Sequence, residues 1–163
     1  PLRLVGSEMC IRDRDKVQNN FLLDILKNES CLSAQFVTSK DVSKLIKKIE
    51  KAGLNSINIA PNIKEMVECT DDIFIVLEDL PLSESDVGTI KNLLSQKIII
   101  FTPFDDSRNI ESSMTRLGFV LEINDSKNDL KCFSYNLKTY NNKRSWNNAE
   151  GWANPENFDK FRW

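Results

Sequence analysis

Two adjacent carboxylates follow a continuous apolar run in the middle of the chain. The run "IFIVL" covers residues 73–77, and "EDLP" comes directly after it with Glu78 and Asp79. A carboxylate in such a place can act as a polar anchor or as a general base. The alternative is a solvated strand end before a turn. Glu78 and Asp79 are therefore the candidate catalytic residues of this sequence.

Three polar residues precede the most regular amphipathic segment. Thr38, Ser39 and Lys40 begin "TSKDVSKLIKKIEKAG", in which apolar residues recur at helical spacing. The N-terminus of a helix can bind an anion, and Lys40 would add a positive charge there. The alternative is capping, because Thr38 and Asp41 have the three-residue spacing of a capping box. Gly53 at the end of the segment suits a left-handed C-cap.

Histidine is absent from the sequence. Its absence excludes Ser-His-Asp and Cys-His nucleophiles, histidine-ligated metals and an imidazole base. Beyond Cys10, the cysteines Cys31, Cys69 and Cys132 are widely spaced and form no C-x-x-C pair. They indicate free thiols in a reducing compartment such as the cytoplasm, and no metal site is predicted.

The chain is mildly acidic, with 22 basic residues against 24 acidic ones and a net charge of −2. This balance gives no broad surface for phosphate contacts, so duplex nucleic acid is not expected as a partner. No run of about eighteen apolar residues occurs, so no membrane-spanning segment is expected. The length of 163 residues fits one domain.

Helical and extended segments alternate along the chain. Helices are predicted over residues 15–28, 38–53, 64–68, 83–95 and 109–117, and strands over 31–37, 54–60, 73–77, 97–101, 119–123 and 130–140. Ser83 and Asp86 form a second capping-box pair. Apolar strands joined by crossover helices indicate a mostly parallel sheet between two helical layers. The last two strands, separated by a polar turn, indicate a closing antiparallel hairpin.

Four stretches, "IFIVLEDLP", "KIIIFTP", "RLGFVLEI" and "LKCFSYNLKTY", follow one another in the order of a known fold. Over residues 31–140 the chain resembles the class I, Rossmann-like S-adenosylmethionine-dependent methyltransferases. The resemblance implies a three-layer α/β domain over residues 15–140, and it implies that the strand end carrying Glu78 faces the substrate in many members. The ending "WANPENFDKFRW" is similar to a small uncharacterised bacterial family with a truncated version of this fold.

The cofactor-binding positions of that family are matched only in part. Its glycine-rich loop after the first strand corresponds to "FVTSKD", which contains no glycine. Its acidic residue for the ribose hydroxyls corresponds to "IAPN", in which Asn62 can make one hydrogen bond. One strand–helix unit is also missing between Ala60 and Ile73. The candidate cofactor-binding residues are Thr38, Ser39, Lys40 and Asn62.

These departures favour a catalytically degenerate domain that holds no cofactor and serves as a binding or scaffold module. The alternative is an active small methyltransferase with an atypical loop, S-adenosylmethionine as its cofactor and Glu78 or Asp79 near the acceptor. A third interpretation rests on "RLGF" before a late strand, which is similar to acetyl-coenzyme A-dependent acetyltransferases. Those enzymes need a mainly antiparallel sheet, so the strand directions over 73–77 and 97–101 separate the third interpretation from the other two.

All three tryptophans lie in the last eighteen residues. Residues 141–163 form an aromatic C-terminal tail that contains Trp146, Trp152, Phe158, Phe161 and Trp163. Rings at this density either fold back to cover the sheet or anchor a protein partner.

The first fourteen residues stand apart from this pattern. The heptapeptide "EMCIRDR", residues 8–14, can be back-translated into a string that resembles the transposase mosaic end of tagmentation sequencing libraries. Residues 1–14 are therefore predicted to be a non-native artefact of metagenomic sequencing, followed by the natural sequence from Asp15. Met9 and Ile11 are then expected to pack against nothing.

Overall fold

The computed structural model describes residues 2–29, 31–65, 71–92, 97–104 and 110–140, together with the isolated residues 154 and 156. Its helices are α1 (Leu2–Asn28), α2 (Ser43–Lys51), α3 (Glu84–Asn92), α4 (Ile110–Arg116) and α5 (Leu137–Tyr140). Its strands are β1 (Ser33–Val37), β2 (Ser56–Ala60), β3 (Ile73–Val76), β4 (Lys97–Thr102), β5 (Val120–Asp125) and β6 (Leu130–Asn136). Outside the described residues lie the tail positions predicted to cover the sheet or bind a partner, namely Trp146, Trp152, Phe158, Phe161 and Trp163.

The six strands form one sheet in the order β2-β1-β3-β4-β6-β5. Strands β2, β1, β3 and β4 are parallel, whereas β6 is antiparallel to both β4 and β5. The fold class is therefore confirmed as α/β, with a Rossmann-like, mostly parallel sheet that ends in an antiparallel hairpin. The parallel pairing of β3 with β4 contradicts the acetyltransferase-like interpretation.

Helices cover both faces of the sheet and bury two apolar clusters. Helices α1 and α2 pack over one face, which includes Phe36 and Phe101. Helices α3 and α4 pack over the other face, which includes Phe74 and Ile100. All residues of β3 are buried, because a central parallel strand has a helical layer on each side. Within the described residues, none of the helices is long and apolar enough to cross a membrane.

Strand β6 ends earlier than predicted. The prediction extended this strand to Tyr140, but residues Leu137–Tyr140 form α5 instead. Asn136 pairs with Lys97, the first residue of β4. Beyond Asn136 the neighbouring strand β4 offers no further backbone groups, so the chain satisfies its own in a helical turn.

The start of α2 also differs from the prediction. The helix begins at Ser43, and Val42 at its N-cap makes no side-chain capping hydrogen bond. Thr38 is therefore not part of a capping box, because its hydroxyl donates to Asp79 at 2.8 Å.

Two other local predictions are confirmed. Gly53 follows α2 with a φ of 104°, the left-handed conformation expected of a C-cap glycine. Ser83 and Asp86 form a reciprocal capping box before α3. The Ser83 N–H donates to the Asp86 carboxylate at 2.8 Å, and the Asp86 N–H donates to the Ser83 hydroxyl at 3.2 Å.

Helix α1 begins at Leu2 and ends at Asn28. It therefore contains the helix predicted over residues 15–28 and begins thirteen residues earlier. Ile11 is exposed, and the side chain of Met9 lies outside the described part of the chain. The artefact hypothesis concerns the origin of residues 1–14 and stays a prediction.

Candidate functional site

Two loops meet at the carboxyl edge of the sheet, between β1 and β3. Strand β1 connects through α2 to β2 on one side, while β3 lies on its other side. This reversal makes a topological switch point, where open parallel sheets usually bind ligands. Five of the six candidate site residues meet there, namely Thr38, Ser39 and Lys40 after β1 and Glu78 and Asp79 after β3.

Asp79 joins the two loops through both of its carboxylate oxygens. Oδ1 accepts a hydrogen bond from the Thr38 hydroxyl at 2.8 Å, and Oδ2 accepts one from the Ser39 N–H at 2.7 Å. The Thr38 oxygen in turn accepts a hydrogen bond from the Lys40 N–H at 3.1 Å. The Ser39 hydroxyl donates to the Pro61 carbonyl at 3.0 Å. The loop after β1 is therefore closed against the loops on both sides.

Glu78 is a buried charge at the centre of this crevice. Its Oε1 forms an ion pair with the Lys40 ammonium, and its Oε2 accepts a hydrogen bond from Gln18 Nε2 of α1 at 2.8 Å. Burial by itself raises the pKa of Glu78. The hydrogen bond and charge of Lys40, assisted by the Gln18 amide, outweigh burial and keep this pKa below its ordinary value. Glu78 is therefore ionised at neutral pH.

Gln18 is a site residue that the sequence analysis missed, although the sequence carries a signal for it. It is a polar residue on the buried face of α1, four positions before the buried Leu22. A buried amide requires a hydrogen-bonding partner, and Glu78 supplies one. Arg14 was also missed; its Nε lies 3.6 Å from Glu78 Oε1. Arg14 is therefore a second cation beside Glu78, farther from it than Lys40.

Asn62, the sixth candidate, makes its hydrogen bonds elsewhere. It lies beside a short 3-10 turn after β2, Ile63–Glu65. Its Nδ2 donates to Glu65 Oε1 at 2.7 Å, and its Oδ1 accepts from the Glu65 N–H at 2.9 Å. Both ends of the amide are used within this turn, so holding a ribose hydroxyl would require breaking a local contact.

The space beside the crevice is small. A cavity of about 140 Å³ lies next to it, with Gln18, Lys40 and Leu77 in its walls. Binding sites for small molecules usually enclose about 300–1,000 Å³. In the part of the chain that the structure describes, no group of three or more histidine, cysteine, aspartate or glutamate side chains could hold a metal ion. This cavity is thus smaller than a nucleoside cofactor requires.

Comparison with known proteins assigns the chain to a family. The sequence profile of DUF6231, a family of unknown function, matches residues 17–163. The chain belongs to this family. No curated protein is significantly similar in sequence to this DUF6231 chain.

Solved structures similar to the DUF6231 chain include two that differ strongly from it in sequence. The methyltransferase domain of bacterial CtHen1-CN aligns with a TM-score of 0.49 and 9% identity, covering 76% of this chain and 100% of that one. A mutant of MtNAS aligns with a TM-score of 0.40 and 14% identity, covering 69% of this chain and 58% of that one. Both likenesses are too distant to transfer an activity, so the function of the crevice has to be inferred from its own residues.

Replacing Asp79 with alanine is expected to open the loop after β1. The change removes the acceptors of the Thr38 hydroxyl and the Ser39 N–H, which corresponds to about 1–2 kcal/mol of unfolding free energy. Urea denaturation measures this loss, and amide hydrogen exchange at Ser39 should become faster. Asp24→Ala is the control, because Asp24 is an exposed carboxylate on α1. Unchanged exchange at Ser39 would contradict the role of Asp79 in closing the loop.

Proposed function

We propose that this domain is a catalytically degenerate, methyltransferase-like binding or scaffold module that works without S-adenosylmethionine. The observation that supports this proposal most directly is the closure of the loop after β1 by Asp79. In the methyltransferases that the sequence resembles, the cofactor approaches backbone N–H groups of this loop. Here the Ser39 N–H already donates to a carboxylate of the protein itself.

Side chains also stand in the way of a cofactor. A glycine-rich loop leaves space because glycine has no Cβ atom, whereas every residue from Thr38 to Asp41 carries a side chain. The Lys40 side chain reaches across the crevice to Glu78. A nucleoside entering there would have to displace Lys40 and take its nearer cation from the buried Glu78, which is energetically costly.

Glu78 is poorly suited to general-base catalysis for two reasons. A general base works best when its pKa lies near the working pH, and the pKa of Glu78 is lowered. Its two oxygens are also engaged by Lys40 and Gln18. Abstracting a substrate proton would therefore require breaking the network that stabilises the charge.

We also propose that the protein works in the cytoplasm of a bacterial cell. The thiols of Cys31 and Cys132 are free, and burial raises the pKa of each. Such thiols resist oxidation and suit a reducing compartment. The likeness of "WANPENFDKFRW" to a bacterial family supports the bacterial source.

Isothermal titration calorimetry with S-adenosylmethionine and S-adenosylhomocysteine tests the proposed function. The folded chain, checked by circular dichroism, is expected to give no binding heat up to about millimolar ligand. A dissociation constant of about micromolar would contradict the proposal and favour the alternative, an active small methyltransferase. Acceptor screens would then compare the unaltered chain with the Glu78→Gln and Asp79→Asn variants.

A further inference from the structure

The opposite edge of the sheet, where the parallel strands begin, carries an apolar surface beside a cavity. Leu32, just before β1, is 59% exposed, and Leu137, just after β6, is 45% exposed. A cavity of about 300 Å³ opens at this edge, and its walls combine Cys31 and Leu32 with the charged side chains of Glu29, Asp72, Lys97 and Lys138. We call Leu32, Leu137 and this cavity the amino-edge surface.

Two exposed leucines lie at this end of the sheet. Six large apolar side chains are exposed in the described part of the chain, and Leu32 and Leu137 are the two at this edge. Single exposed leucines are ordinary, whereas two beside an open cavity mark a surface that another segment can cover.

The C-terminal tail departs from this same surface. Helix α5 ends at Tyr140, two residues after Lys138 in the cavity wall. Residues 141–163 comprise 23 residues, and an extended chain of that length spans up to roughly 75 Å. A six-stranded sheet is only about 25 Å wide. Every part of the amino-edge surface is within reach of the tail.

We propose that the tail folds back on its own domain and covers the amino-edge surface, with a tryptophan ring in the cavity. Leu32 and Leu137 supply apolar contacts, and the ammonium group of Lys138 can lie against the face of a ring. The cavity volume is at the lower end of that of small-molecule sites and accepts an indole. Because the tail belongs to the same chain, its effective concentration at this surface exceeds that of a separate partner.

Tryptophan fluorescence of the full chain tests this docking. All three tryptophans are in the tail, so selectively excited emission reports on the tail alone. The emission should be blue-shifted relative to the chain unfolded in urea and severalfold less sensitive to acrylamide quenching. The double variant Leu32→Asp, Leu137→Asp should shift the emission to the red and restore most of the quenching.

Ile59→Asp is the matched control. Ile59 is 51% exposed but lies on β2 and pairs with Phe36 near the carboxyl end of β1, so its replacement should leave the emission unchanged. Emission at the wavelength of the unfolded chain, with equally strong acrylamide quenching, would overturn the proposal and leave the tail available for a protein partner. An equal effect of the control would also overturn it. Protection that falls on dilution would overturn it in favour of a second copy of the chain.

Thiol labelling gives an independent measurement from the other side of the contact. The measurement uses a chain with Cys10→Ser and Cys69→Ser, in which Cys31 and Cys132 are the remaining thiols. Cys31 lies in the cavity wall, whereas Cys132 is fully buried. Replacing all three tryptophans with serine should then accelerate maleimide labelling of Cys31 severalfold while Cys132 stays unlabelled. An unchanged labelling rate of Cys31 would contradict the presence of a tail ring in the cavity.

Discussion

Replacing Phe101 with alanine is expected to lower the free energy of unfolding by about 3–5 kcal/mol. Phe101 lies on β4, is fully buried and packs edge-on against Phe21 of α1, with ring centroids 6.2 Å apart and ring planes at 87°. Strand β4 is fixed between β3 and β6, so the sheet cannot close the cavity that the lost ring leaves. Urea denaturation measures the loss as a lower midpoint at constant slope.

Phe104→Ala is the matched control for Phe101→Ala. It removes the same atoms from a half-buried position two residues beyond the end of β4, and it should cost less than half as much. The Phe101 variant should also loosen α1, which carries Gln18 three residues before Phe21, so amide exchange in α1 should rise in that variant alone. Equal losses in the two variants, or unchanged exchange in α1, would argue against Phe101 as the anchor of α1.

Local signals predicted most of the fold. The runs "IFIVL" and "KIIIF" indicate strands buried on both faces, and β3 and β4 lie there because helices cover each face. The capping box of Ser83 and Asp86 depends on residues three positions apart, so the sequence alone identifies it. The predicted start of α2 at Thr38 was wrong because the Thr38 hydroxyl has a competing partner, Asp79, 41 positions away in the sequence. No local rule ranks a distant partner against a nearby one.

The sequence predicted which strand ends carry the candidate site residues but not which side chains contact one another there. Lys40 was predicted in the loop after one strand, and Glu78 and Asp79 at the carboxyl end of another. The structure brings them together, because the carboxyl ends of neighbouring parallel strands meet at one edge. The hydrogen bond between Gln18 and Glu78 spans 60 positions and depends on how α1 lies across the sheet. Hydrophobic spacing identifies the buried face of a helix but not its placement on the sheet, so Gln18 could not be assigned to the site from the sequence.

Replacing Lys40 with methionine is expected to lower the free energy of unfolding by about 2–3 kcal/mol at neutral pH. The change keeps the apolar stem but removes the nearer cation from Glu78, whose side chain is 2% exposed. Arg14 Nε, 3.6 Å from Glu78 Oε1, stays in place. Breaking a buried ion pair by removing one partner usually costs about 3–5 kcal/mol. The expected cost is smaller here because the Lys40 side chain is 35% exposed and solvent screens its charge.

The cost of Lys40→Met should grow with pH. In the unaltered chain the pKa of Glu78 is below its ordinary value, so Glu78 contributes stability above that ordinary value and loses it as the pH falls. Without Lys40, the contributions that lower this pKa most are lost, while Gln18 and Arg14 remain beside Glu78. The folded-state pKa of Glu78 is therefore higher than in the unaltered chain, and the stability difference grows as the pH rises through these two pKa values. The difference should be larger at about pH 7 than at about pH 4. Asp15, whose carboxylate lies 3.9 Å from Lys40 Nζ, is exposed and should contribute little to it.

Lys16→Met and a double variant make this prediction specific to Glu78. Lys16 pairs with Asp13 at 3.2 Å on an exposed part of α1, so its replacement should cost less than about 0.5 kcal/mol. Adding Glu78→Gln to Lys40→Met removes the buried charge together with its nearer cation. Most of the lost stability should return, and the remaining cost should depend little on pH. The resulting double-mutant cycle measures the coupling of Lys40 with Glu78 directly. A cost independent of pH, or no recovery in the double variant, would show that a charged Glu78 does not close the crevice, and the barrier to a cofactor would then rest on Asp79 alone.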